Sequence, residues 1–135
     1  MKHKLLTIVF LICMACAARA AENFSGTYTT SIGEGDVSPD LKDAVGIWEI
    51  YLGDQNNFTA SKAGEEKVRG SYSIAGDQIT FADTEGAMAC PKDQATGQYH
   101  AALDGDSLTF TKTSDACKPR TIVLTSHSLT RKKTH

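Results

Sequence analysis

The stretch Val45-Gly46-Ile47-Trp48-Glu49-Ile50-Tyr51-Leu52-Gly53 decides the fold. Its side chains alternate, so Trp48, Ile50 and Leu52 share one face of a strand while Ile47, Glu49 and Tyr51 share the other. The only tryptophan of the chain stands on the first face. A strand with one apolar face needs neighbours that bury it, and the flanking sequence supplies them.

Upstream, Phe24, Gly26, Tyr28, Thr30 and Ile32 alternate with Ser25, Thr27, Thr29 and Ser31, a first strand within Asn23–Ile32. Gly33 to Asp40 is a loop by composition, and Pro39 to Asp43 can form one helical turn. Connections of this length in a small domain are often lids or binding loops.

Downstream, short strands follow at Phe58–Ser61, Val68–Ile74, Ile79–Phe81, Gln98–Leu103 and Leu108–Thr111. Gly53-Asp54, Gly64-Glu65, Gly76-Asp77 and Asp104-Gly105 mark the turns between them, with an irregular stretch from Ala82 to Gln94. Arg120 to Thr125, with Ile122 and Leu124 on one face, reads as an eighth strand, and Ser128–Arg131 as a ninth or a closing lash. No segment shows a sustained helical period. The expected fold class is all-β, an antiparallel up-and-down barrel of eight strands, because closure removes the exposed edges of such a meander. A two-sheet sandwich is the competing arrangement.

The first twenty residues read as a signal peptide: Lys2 and Lys4, an apolar run from Leu5 to Ala15, and Ala18-Arg19-Ala20 as the cleavage pattern. Of the 135 residues, 115 then remain as a single domain, 21–135, in a secreted or periplasmic protein. Cys16 offers lipoprotein anchoring as the lesser alternative, since Cys13 stands where an aliphatic residue is expected. No second apolar run suits a membrane-spanning helix. Cleavage removes Lys2, Lys4 and Arg19, leaving 11 of 14 basic residues against all 16 carboxylates, a net charge of −5. That balance speaks against a nucleic-acid partner, whose binder needs a basic surface.

Two cysteines remain, Cys90 and Cys117. In an oxidising compartment an even pair reads as a disulfide, worth about 3 kcal/mol through the loop it closes. Two cysteines without a histidine at ligand spacing make no metal site. His100 and His127 are the internal histidines of the mature chain, and no hydrolase, metalloprotease or phosphate-loop motif accompanies them. Neither an enzyme nor a cofactor is expected.

Gly46-x-Trp48, Gly53-Asp54, Gly70-x-Tyr72, Gly76-Asp77 before Ile79-Thr80-Phe81, Cys90, Tyr99, Asp104-Gly105 before Leu108-Thr109-Phe110, and Asp115-x-Cys117-x-x-Arg120 follow one another in order. In this the chain resembles small secreted bacterial lipocalin-like (calycin-type) domains from about Gly46 to Leu124. The chain departs from the family at Gly26-Thr27-Tyr28, where the lipocalin Gly-x-Trp normally opens the first strand, at Ala101, and at Leu129-Thr130-Arg131. The resemblance implies a barrel that holds a small, partly apolar molecule in its mouth, with Gly33–Asp43 as lid. It also implies that Arg120 packs over Trp48, with anion recognition as the alternative role.

Trp48 then either floors a cavity or plugs the core, and Tyr28, Tyr72 and Tyr99 either line a pocket or serve as half-buried strand tyrosines. The ligand-binding candidates are accordingly Tyr28, Trp48, Tyr72, Tyr99 and Arg120. A different class of function remains open: a monomeric inhibitor that inserts its N-terminal arm (Ala21 to Asn23) or its basic tail, Arg131-Lys132-Lys133, into a hydrolase. A barrel filled by Trp48, Phe81, Phe110 and Leu124, with no ligand, is the third possibility.

Overall fold

The computed structural model describes residues 23–133. The signal-peptide reading of 1–20, Cys13 and Cys16, and the arm residues 21–22, lie outside the described residues. Eight antiparallel strands close into a barrel in sequence order: β1 Gly26–Ile32, β2 Gly46–Leu52, β3 Asn57–Lys62, β4 Glu65–Ala75, β5 Gln78–Glu85, β6 Thr96–Asp104, β7 Ser107–Ser114 and β8 Leu129–Arg131. The barrel is thus the arrangement adopted, not the sandwich.

One strand assignment is overturned. Lys118–Thr125 is an α-helix, α1, and the eighth strand is the short segment after it. The β-branched run Thr121-Ile122-Val123 favours a strand locally, but Pro119 sits in the first turn, where its fixed φ suits a helix start. The hydroxyls of Thr121 and Thr125 accommodate to the helix by donating to the carbonyls of Cys117 and Thr121, four residues back. Val123 and Leu124 face inward as buried side chains, so packing outweighs propensity.

Trp48, Ile50 and Leu52 point inward from β2, while Ile47 and Tyr51 are 66% and 41% exposed on the outer face. Neighbouring strands run antiparallel, so successive connections alternate between the two ends. The long ones, residues 33–45, 86–95 and 115–128 (with α1), gather at one end, here called the upper end. The lower end carries the tight turns at 53–56, 76–77 and 105–106. There the interior is packed by Phe24, Leu52, Ile79, Leu108 and Leu129. A belt of Phe58, Phe81, Tyr99 and Phe110 crosses the middle, its rings edge to face at centroid distances of 5.2–6.1 Å.

The belt depends on Gly70. A Cβ there would lie 2.0 Å from the Ala82 carbonyl oxygen and 2.7 Å from Phe58 Cε1, at the irregularity where β4 meets β5. Gly70→Ala is therefore expected to cost about 2 kcal/mol or more, as overpacking against backbone does. A urea midpoint equal to that of the wild type would refute this account of the site.

β8 closes the barrel with few pairings, Tyr28↔Arg131 and Thr29↔Thr130 to β1 and Ser107↔Thr130 and Leu108↔Leu129 to β7. The basic tail belongs to this closure. Arg131 lies over the Tyr28 ring at 5.3 Å and donates to Tyr28 Oη and Asn23 O, while Lys132 Nζ pairs with Glu49 at 2.7 Å.

Candidate functional site

The upper end of the interior is incompletely filled. A cavity of about 50 Å³ lies above the aromatic belt and under α1. Trp48, Ile50, Phe58, Ala60, Val68 and Phe81 line it from the strands; Pro119, Val123 and Leu124 come from α1; Met88 and Cys90 come from the connection between β5 and β6. Asp83 and Arg120 are its charged lining residues. No residue of Gly33–Asp43 lines it, so α1 and the Met88 segment form its roof.

Two of the five ligand-binding candidates meet here, Trp48 and Arg120. Trp48 is 2% exposed, with its indole N–H donating to Ala44 O at 2.8 Å. Its cation neighbour is Lys62, with Nζ 5.9 Å from the ring centroid, and not Arg120 as the resemblance implied. Tyr28 and Tyr72 belong to the lower end, where their hydroxyls donate to the carbonyls of Phe24 and Gly53. Tyr99 is fully buried and turns its hydroxyl to Asp115 and Thr121, outside the cavity.

Arg120 is drawn away from Trp48 by two carboxylates. Nε and Nη2 grip Asp115 at 2.7 and 2.8 Å, Nη1 and Nη2 donate to the Ala95 and Gln94 carbonyls at 2.7 and 2.9 Å, and Nη1 lies 3.1 Å from Asp83 Oδ1. The three side chains are 7%, 0% and 2% exposed, so this is a buried ionic cluster. It ties α1 to the strand ends and to the β5–β6 connection. Four of the five guanidinium N–H groups are engaged by Asp115 and by the Gln94 and Ala95 carbonyls, and the fifth, on Nη1, lies beside Asp83, so what the group offers a ligand is chiefly its flat surface and its charge.

Glycine makes the cluster possible. A Cβ on Gly97 would stand 2.5 Å from Asp115 Oδ2 and 2.8 Å from Arg120 Nη2. Asp115 also accepts the Cys117 amide at 2.9 Å, and the Cys90–Cys117 disulfide joins the same two connections, its Cα atoms 6.0 Å apart. The expected disulfide is present.

These contacts set the protonation states. Burial raises Asp115, but the Arg120 grip, the Tyr99 hydroxyl and the Cys117 amide together outweigh it and hold the carboxyl below the usual range. Burial, reinforced by the bond to Asp115, pushes the Tyr99 phenol well above its ordinary value. Stability owed to Asp115 is therefore complete above the ordinary carboxylate value of about 4, and is lost as pH falls through the depressed one. Stability owed to Tyr99 is complete below about pH 10 and is lost as pH rises from there toward the raised value. Urea midpoints measured against pH should fall on both sides, with Asp115→Asn flattening the acid limb and Tyr99→Phe the alkaline one. An acid limb as steep in Asp115→Asn as in the wild type would show that other carboxylates carry it.

No protein-family model matches the chain, and neither a curated protein nor a solved structure matches it. Among the described residues no group of three or more histidine, cysteine or acidic side chains could hold a metal ion, and no helix is long and apolar enough to cross a membrane.

Proposed function

We propose that this chain is an exported, lipocalin-like barrel of the calycin type that binds a small, partly apolar molecule at its upper end. The observation that supports this reading is the cavity between Trp48, Phe58, Phe81, Val123 and Leu124, an apolar space with a charged pair at one side. Ligand sites combine mostly apolar walls with a few placed polar groups, and Asp83 and Arg120 fill that second role. The walls are paired strands of the closed barrel, whereas α1 and the Met88 segment are roofing pieces from long connections. At about 50 Å³ the cavity admits only a small body, or the inserted end of a longer one.

Trp48, the sole tryptophan, is a built-in reporter. Native mass spectrometry of the chain exported through its own leader should show an adduct that denaturation removes, and the purified ligand should change Trp48 fluorescence. A bare mass, together with no Trp48 response to a panel of small apolar compounds, would refute the proposal in favour of a filled barrel.

A further inference from the structure

Asp83 stands where the apolar cavity meets the buried ionic cluster, and one of its two oxygens is unanswered. Oδ2 accepts the Cys90 amide at 2.8 Å. Oδ1 accepts no hydrogen bond among the described residues, although the side chain is only 2% exposed. Arg120 Nη1 is 3.1 Å away, an ionic contact, but the aligned bond of that nitrogen runs to Ala95 O at 2.7 Å. Buried acceptors without a partner are rare in folded proteins, and the exceptions ask for an explanation.

The charge balance points the same way. Asp83 and Asp115 bring two negative charges to a single guanidinium, which leaves one negative charge in excess out of water. An uncompensated buried charge is costly. Asp83 lines the cavity beside Trp48, Phe58 and Phe81, whose ring faces attract cations.

We infer that the ligand carries a primary ammonium head, which donates to Asp83 Oδ1, and a short apolar chain lying against Trp48 and Val123; this rests on the binding function proposed above. An ammonium supplies both the missing donor and the missing positive charge. A hydroxyl supplies only the donor, and a carboxylate adds to the excess. Size sets a further limit. A cavity of about 50 Å³ takes a small body, and propylammonium is a probe on that scale.

The test is a Trp48 fluorescence titration of the mature protein with propylammonium, 1-propanol and propanoate at one pH and ionic strength. Propylammonium is expected to bind about tenfold more tightly than propanol, the margin of a charge-assisted over a neutral hydrogen bond, and propanoate not at all. In Asp83→Asn that margin should vanish. Equal affinity of the wild type for propylammonium and propanol, or a margin that survives in Asp83→Asn, would overturn the ammonium assignment and leave the binding function standing. Silence toward all three would overturn both. Should Asp83→Asn fail to fold, the series on the wild type decides alone.

Discussion

Arg120→Met is expected to lower stability by about 3–5 kcal/mol, the cost of leaving a buried ionic partner behind. The reason lies in what remains: Asp115 and Asp83, 0% and 2% exposed, would be left without a cation, the Gln94 carbonyl would lose its donor and the Ala95 carbonyl one of its two. For a domain of this size the loss corresponds to roughly 12–20 °C in Tm, at about 4 °C per kcal/mol. Against a total stability of about 5–15 kcal/mol it would bring the fold near its limit. Adding Asp115→Asn to Arg120→Met should recover part of the loss, because the stranded charge is smaller, and a double-mutant cycle in urea measures the coupling. A cost below about 1 kcal/mol would mean that the cluster is solvated in solution, since exposed pairs are worth that little.

The second large effect concerns the last strand. A chain ending at Ser128 is expected to lose cooperative unfolding altogether. It gives up Leu129, which is fully buried and worth about 2–5 kcal/mol on truncation to alanine, and uncovers the edges of β1 and β7. It also gives up Arg131, whose guanidinium spans Asn23 and Tyr28. Circular dichroism against temperature reads the result. Lys133→Ala, at an exposed position, serves as the control and should leave the transition within about 0.5 kcal/mol of wild type, as surface changes usually do. The comparison also bears on an inhibitor acting through its basic tail: Arg131 and Lys132 are engaged by the barrel itself, so insertion of that tail into a hydrolase would first have to break these contacts. A Ser128-terminated chain that melts like the wild type would contradict the closure described here.

Much of the barrel is legible in the sequence because its strands pair with their chain neighbours. The alternation around Trp48 and the turns at Gly53-Asp54, Gly76-Asp77 and Asp104-Gly105 carry local information about strand, face and connection, and these stand. Arg120–Thr125 was misread for a local reason. Its β-branched residues match a strand, and Pro119 in the first turn together with the helix's packing over the upper end decides otherwise. The site was half legible. Trp48 and Arg120 both reach the cavity, but Tyr28, Tyr72 and Tyr99 spend their hydroxyls elsewhere in the barrel. Asp83 and Met88 went unread, since they lie in or beside the irregular stretch after Phe81. Asp83 meets its guanidinium 37 positions away, a pairing that neither periodicity nor a motif announces. The one signal available was Gly97, whose missing side chain leaves room for the cluster.

The seam between first and last strands gives the molecule a direction in time. Each of the other pairings joins consecutive strands, those across the tight turns as hairpins that can form within microseconds, whereas Thr29 waits for Thr130, about a hundred residues later. A chain emerging from its N-terminus presents β1 first and β8 last. Until the final turn of α1 is in place and Leu129 slots beside Leu108, the nascent sheet has two open edges able to recruit another chain. Pulse-labelled hydrogen exchange during refolding should find the amides of β8 protected last, with the hairpins of β4–β5 and β6–β7 ahead of them. Folding is then a race between closing the three residues of β8 and meeting a second unfinished barrel.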